Sequence, residues 1–362
     1  MIDPLECKAL WRALANHCHS DLGALAALAT APAPTRAAAE ARLDRLDEAS
    51  ALDTHSLLPP VTSRLELGQA PMMAQRGAML DGDDLRRIGR VLRCGCDVHD
   101  DADGWRPWAP SLAALADAMP APYEVADDLI DTFDEHGEIR DDASVALARL
   151  RSEVRTTHQT MRRRVAELVR ENDAQGVLQD DYYTIRQDRF VLPVRAAEKR
   201  TIEGIIHGSS QTGATVYLEP AELVAQNNRL ALAVEAVRAE ERRILLALSG
   251  RVGELADALA VVVATLVDLD TLSATARFCR ELSAHRALFR DDAHLELHGA
   301  RHPHLALAGD GVVANDVILD GPRWMIVSGP NGGGKTVTLT TVGVAVEMAR
   351  CGLYVCAAEG SI

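Results

Sequence analysis

The stretch Gly329-Pro330-Asn331-Gly332-Gly333-Gly334-Lys335-Thr336 constrains this chain more than any other, because it fits the phosphate-loop pattern G-x-x-x-x-G-K-[ST]. Such a loop works between a strand and a helix. Arg323-Trp324-Met325-Ile326-Val327-Ser328 reads as a buried strand before it, and Val337, Leu339, Val342, Val346 and Met348 give the following segment the apolar face of a helix. Glycines let backbone N–H groups close around phosphates, and the helix N-terminus adds its dipole. Lys335 is expected to reach the β- and γ-phosphates, and Thr336 to offer its hydroxyl to magnesium, so ATP and magnesium are the expected cofactors. Only Cys351 to Ile362 follow the helix. A P-loop ATPase has further strands, one of them carrying the acidic residue that holds the metal. The expectation is therefore a piece of a longer protein, with a nucleotide-binding relic as the alternative.

The rest of the chain is helix-rich. The apolar fraction is 48% and the aromatic fraction only 4%, with abundant Ala and Leu. At 362 residues, two or three domains are expected. The net charge of −15 excludes a generically basic nucleic-acid binder. From Arg149 to Arg200, however, twelve Lys/Arg stand against eight Asp/Glu, a net of +4 that leaves −19 for the remainder. Contacts to polyanions should concentrate there. Seven scattered cysteines suggest no disulfide framework, and the N-terminus lacks the basic start and apolar core of a signal peptide, which fits a cytoplasmic protein. The longest apolar run, Ala258 to Val267, is too short to span a membrane, and no membrane partner is expected.

Residues 1 to about 140 read as short helices, with Leu5, Leu10, Leu14, Leu22, Leu25 and Leu28 at helical spacing and proline breaks at 32–34, 59–60, 107–110 and 120–122. Cys94-Gly95-Cys96 with His99 reads as ordinary helix packing rather than a metal site. Leu147, Val154, Met161 and Leu168 then repeat every seven residues, a heptad helix that carries Arg162-Arg163-Arg164 as a solvated face. Tyr182 to Arg186 and Arg189 to Val194 flank Gln187-Asp188 as a hairpin. Ile202 to Ile206 and Thr215 to Leu218 suggest a second strand pair, joined by an exposed loop from His207 to Gly213. Arg186, Arg189, Arg195, Lys199 and Arg200 gather in this small sheet as candidate nucleic-acid contacts, with solubilisation of an exposed edge as the alternative. From Leu230 to Leu269 apolar residues step by threes and fours, which predicts about 45 residues of helix, or about 65 Å. The heptad helix is its natural antiparallel partner. His294, His298, His302 and His304 precede the loop without metal-ligand spacing, and the Arg301-His302-Pro303 turn is expected beside the nucleotide.

Several separate stretches resemble the bacterial MutS-two subfamily of the MutS superfamily. They are Ile139 to Arg151, Arg189 to Val194, Gly204 to His207, Ser210 to Pro220, Asn227-Asn228, Ala300 to Pro303, Asn315-Asp316, Gly329 to Leu339 and Glu359 to Ser361. The resemblance implies a mostly α fold with a small β clamp and long antiparallel helical levers, followed by the beginning of an α/β, ABC-like P-loop ATPase domain. On it, residues 1–140 are a helical core, 141–181 an ascending lever, 182–222 the clamp, 223–290 a descending lever and 291–362 the first part of the ATPase. It also implies homodimers with composite ATP sites, Gly329 to Thr336 as the Walker A loop, and binding to branched or structured DNA in recombination control and to stalled ribosomes. The mismatch-reading and Smr nuclease domains of relatives have no counterpart in this sequence, so neither mismatch reading nor nuclease activity is expected. Gly332, Cys356, and the Val312-Val313 pair at the place of an adenine-stacking aromatic depart from the family pattern. The competing readings are a non-hydrolysing, nucleic-acid- or ribosome-binding dimeric scaffold with a vestigial P-loop, and a coiled-coil ATPase of the SMC kind. In the latter the P-loop precedes the coiled coil, and here it follows.

Overall fold

The structure is a computed structural model that describes residues 7–62, 64–309, 311–321, 324–330 and 333–362. The chain is mostly helical with a small antiparallel sheet, and it divides into two compact units. The first comprises Met1–Arg76, Arg86–Asp128 and Val252–Ile362, and the second Gly77–Leu85 and Leu129–Arg251.

Helices α1 (Cys7–Ala15), α2 (Asp21–Leu28), α3 (Arg36–Thr54) and α4 (Ala70–Gln75) open the first unit. Ser20 and Thr35 start α2 and α3 by accepting hydrogen bonds from the backbone N–H of Gly23 and Ala38, the ordinary way of satisfying orphan donors. Next come α5 (Gly82–Trp105), α6 (Pro110–Asp117) and α7 (Tyr123–Asp131). The expected leucine face of α2 is not the buried one: Leu25 and Leu28 are exposed, and Gly23 and Ala27 are buried. The cause is a close approach. A Cβ at Gly23 would lie 2.2 Å from Oδ2 of Asp270, so α2 docks by its smallest side chains. Asp270 is itself buried and accepts hydrogen bonds from the N–H groups of His19 and Ser20 and from the Ser20 hydroxyl.

In the second unit α8 (Val145–Asp173) begins at Ser144, whose Oγ accepts from Leu147 N–H and donates to Glu240 at 2.8 Å. Its heptad seam is buried at Leu147, Met161 and Leu168. Strands β1 (Thr184–Arg186), β2 (Arg189–Arg195), β3 (Gly204–Ser209) and β4 (Thr215–Pro220) form an antiparallel sheet in the order β1-β2-β4-β3. Gln187 and Asp188 both take positive φ, 49° and 58°, as a two-residue turn matched to strand twist requires. The β3–β4 loop is shorter than expected, because His207 lies inside β3 with its side chain largely buried.

Helix α9 (Ala221–Glu254) returns antiparallel to α8. Arg164–Glu222, Arg229–Glu153, Arg151–Glu241 and Ser144–Glu240 contacts fix the register. The single long helix expected from 230 to 269 is broken at Leu255, where α9 ends and α10 (Ala256–Glu281) begins. Gly253 lies just before the break, and a Cβ there would sit 2.6 Å from the Ala74 carbonyl oxygen. The apolar run judged too short for a membrane lies within α10, which by length and composition alone is long enough to cross one. It packs instead as a core helix against α1, α2 and α3, with Leu259, Val262, Leu266 and Phe278 buried. Gly95 of the Cys94-Gly95-Cys96 stretch packs against it, since a Cβ there would meet Val262 at 2.8 Å.

The first unit closes with β5 (His294–Ala300), α11 (Pro303–Ala308), β6 (Asn315–Asp320) and α12 (Lys335–Cys351). Strands β5 and β6 pair antiparallel. The strand expected at 323–328 is not formed over Trp324–Ser328, and Trp324 and Ile326 are almost fully exposed; Arg323 lies outside the described residues. A doubly buried strand needs ladder partners and cover on both faces, and among the described residues nothing pairs with it. Of the expected face of α12, Met348 is buried and Val342 half-buried, whereas Val337, Leu339 and Val346 are exposed; Thr341, Val344, Ala345 and Cys351 complete the buried face.

Candidate nucleotide loop and basic sheet

Of the loop residues, Gly329, Pro330, Gly333, Gly334, Lys335 and Thr336 are described, and Asn331 and Gly332 lie outside the described residues. Gly334 caps α12 with φ +83°, a conformation that a side chain would strain. Lys335, the first helical residue, folds its ammonium group back onto the loop and donates to the carbonyls of Gly329 (2.5 Å) and Pro330 (2.6 Å). The Gly333 N–H also donates to the Pro330 carbonyl, at 3.1 Å. Thr336 is exposed at the helix start. The ammonium group is thus satisfied by neutral carbonyls, which are weaker acceptors than charged oxygens.

In the Arg301-His302-Pro303 turn, expected beside a nucleotide, Arg301 is engaged by the surrounding backbone. Its guanidinium donates to the Leu282 and Ser283 carbonyls, and its N–H to that of Cys356. His294 and His298 do share one face of β5, and Glu296 lies between them, its two oxygens 3.2 and 3.1 Å from their Nε2 atoms. Among the described residues no group of three or more His, Cys, Asp and Glu is arranged to hold a metal ion.

The sheet of the second unit has one apolar face. Phe190, Leu192, Val194, Val216 and Leu218 pack on Met161, Val165 and Leu168 of α8 and on Leu223 and Leu230 of α9. Its other face carries the buried Val191 and Pro193 together with Tyr217 and Glu219. This carboxylate is fully buried and accepts from Arg189 (2.8 Å), Asn227 Nδ2 (2.7 Å) and His207 Nε2 (2.5 Å). Asn227 also clasps the Phe190 backbone, accepting from its N–H at 3.0 Å and donating to its carbonyl at 3.3 Å. Burial pushes the Glu219 carboxyl up, but the hydrogen bonds from Asn227, His207 and Arg189 outweigh it and hold the group below the ordinary glutamate value.

The five basic candidates therefore separate. Arg189 is committed to Glu219 and to Asn228 Oδ1 at 2.6 Å. Arg186 stacks over the Tyr217 ring at 4.3 Å. Arg195, Lys199 and Arg200 are exposed and pair with no carboxylate among the described residues. Within the arginine triplet of α8, Arg164 is bound to Glu167, Glu171 and Glu222, and Arg162 donates to the Tyr183 hydroxyl. Sequence reasoning missed the Glu219 centre. The available signal was an acid closing an apolar strand (Val216-Tyr217-Leu218-Glu219) directly before a helix that carries Asn227-Asn228.

No family model matches the chain. Among curated proteins it is similar to Endonuclease MutS2 of Anaeromyxobacter sp. (strain Fw109-5), 37% identical over 360 residues, covering 96% of this chain and 45% of the relative. It is similar to Endonuclease MutS2 of Bacillus velezensis, 32% identical over 369 residues, covering 100% of this chain and 46% of the relative. Putative endonuclease MutS2 of Bacillus subtilis is 31% identical over 370 residues with the same coverage. The chain spans about half the length of the curated relatives it matches.

Proposed function

The chain belongs to the bacterial MutS2 family, and from that premise we propose that it is the DNA-binding and nucleotide-loop part of an ATP-dependent clamp. The observation that carries the nucleic-acid half is the separation of the basic residues. Arg195, Lys199 and Arg200 are exposed and unneutralised at one end of the sheet, while Arg164 and Arg189 are consumed by the fold. Unpaired cations at the end of β2 and in the turn that follows it suit phosphate contact, whose strength falls steeply with salt. Arg186 over Tyr217 adds a stacked cation at the β1 edge. Together these five positions form the nucleic-acid surface, with Arg189 acting through Glu219 rather than on a phosphate.

In this reading ATP, with magnesium, enters at Gly329 to Thr336. Lys335 would exchange the Gly329 and Pro330 carbonyls for the β- and γ-phosphates, and the Thr336 hydroxyl would be available as a magnesium ligand. Two copies of the protein complete each other's nucleotide sites, and nucleotide-driven closure moves the α8–α9 hairpin that carries the basic sheet. The ligand is branched or structured DNA, with stalled ribosomes as a second target. The relatives are named endonucleases, and nuclease activity is not part of this reading.

The test measures binding to a four-way DNA junction and to ribosomes, with and without Mg-ATP, for the wild type and Lys335→Ala. Nucleotide should shift wild-type binding and leave Lys335→Ala unmoved. An equal nucleotide response in both proteins would refute the clamp. Salt-sensitive binding that ignores ATP in both would leave a scaffold.

A further inference from the structure

The helix that starts at the phosphate loop is fastened at its far end to α3, and every fastening lies within the first unit. The Arg350 carbonyl accepts the Ala33 N–H at 2.8 Å, just before α3. The Cys351 carbonyl accepts from Arg42 Nη1 at 3.1 Å, and the same nitrogen donates to the Ala31 carbonyl at 2.8 Å. Gly352 ends α12 with φ +78°, and a Cβ there would lie 2.4 Å from the Arg42 Cβ and 3.3 Å from the Ala39 carbonyl oxygen. One turn further along α3, the Tyr354 hydroxyl donates to Asp47 at 2.5 Å, and Arg286 bridges Asp47 and Asp44. Three successive turns of α3 thus hold the segment that follows α12.

We propose that Arg42 and Gly352 form a latch through which α3 senses the occupancy of the phosphate loop, with Arg42 as its positioning residue. The latch rests on the nucleotide reading given above and adds the route by which that site is coupled to the helical part of its own unit. A 17-residue helix is a rod of about 25 Å. Its first residue, Lys335, is tied to the loop carbonyls and must release them for a phosphate. Its last turn has no slack, because Gly352 already touches α3 without a side chain. A shift at the loop end therefore reaches α3 as a displacement at Arg42 rather than being absorbed at the C-terminus. Coupling of this kind is reciprocal, so loosening the latch also alters nucleotide affinity.

Amide hydrogen exchange on the chain, with and without Mg-ATP, tests it in the wild type, Arg42→Ala and Gly352→Ala. In the wild type ATP should protect the loop and also change exchange across Arg36–Thr54. Arg42→Ala should keep the loop protection, lose the response of α3 and shift ATP affinity about fivefold or more. Gly352→Ala attacks the same contact from the other side and should do likewise, with α10 exchange unchanged as the check on folding. Loop protection with a silent α3 in the wild type would overturn the latch and leave the nucleotide reading standing. A wild-type α3 response preserved in both variants would also overturn it. A wild-type loop that ATP does not protect would overturn the nucleotide reading, and the latch with it.

Discussion

Replacing Glu219 with alanine should unseat the sheet of the second unit. The carboxylate is fully buried and accepts three side-chain donors. Removing one partner of a buried ion pair typically costs about 3–5 kcal/mol. An unsatisfied buried amide at Asn227 adds about 1–3 kcal/mol, not strictly additive. Arg189 is a quarter exposed and keeps Asn228 as an acceptor, so part of its loss is recovered by water. The expectation is about 3–4 kcal/mol for Glu219→Ala. Glu219→Gln keeps one oxygen to accept from Asn227 and Arg189 but loses the charge and turns an NH2 donor toward His207, so about half as much is expected. Because the chain has two units, global unfolding is a poor readout. Amide exchange of β2 and β4 under native conditions isolates the effect, with α10 as the internal control. The sign of the pH dependence follows from the depressed carboxyl. Its contribution is complete above the unfolded value of 4.5 and is lost as pH falls through the lower folded value. The gap between wild type and Glu219→Gln should therefore close in acid. Glu219→Ala within about 0.5 kcal/mol of wild type at neutral pH, or a gap that widens in acid, would refute the reasoning.

Arg200→Ala should lower the slope of log K against log salt for DNA by about 1, whereas Glu219→Gln should weaken binding with the slope nearly kept, because no phosphate contact is deleted. Gly23→Ala would place a methyl 2.2 Å from the Asp270 carboxylate. It should destabilise the first unit by about 2–3 kcal/mol, read from amide exchange in α2, and a neutral result would show that α2 docks otherwise. Ser144→Ala removes the α8 cap and the partner of Glu240, for a loss of about 1–2 kcal/mol read from exchange in the first turn of α8. Burial pushes the Cys94 and Cys96 thiols up to about 11 and that of Cys279 to about 12. Alkylation of these three at pH 8 should be slow in the native protein and rapid in denaturant, and prompt native labelling would contradict it.

Local pattern in the sequence determined a good deal. Period-seven spacing marked α8, and its seam residues Leu147, Met161 and Leu168 are buried because a helix turns the same face to its neighbour every two turns. The paired runs around Gln187-Asp188 marked the hairpin, since two residues with positive φ are enough to reverse a strand. The glycine run before Lys335 marked a helix start, and α12 begins at that lysine because Gly334 can take the left-handed conformation that caps it. Only the tertiary structure decided the rest. Leu25 and Leu28 have the spacing of a core face, yet α2 packs by Gly23 because Asp270 of α10 comes within bonding range of Ser20. Nothing near Gly253 in sequence announces that the Ala74 carbonyl will press against it at the end of α9. The five basic candidates look equivalent along the chain. Arg189 differs from Arg200 only because Glu219, thirty positions away, is folded beneath it without access to water. A charge in the sequence is a fixed quantity, but whether it is available to a partner depends on the dielectric and the counter-charge that folding brings to it.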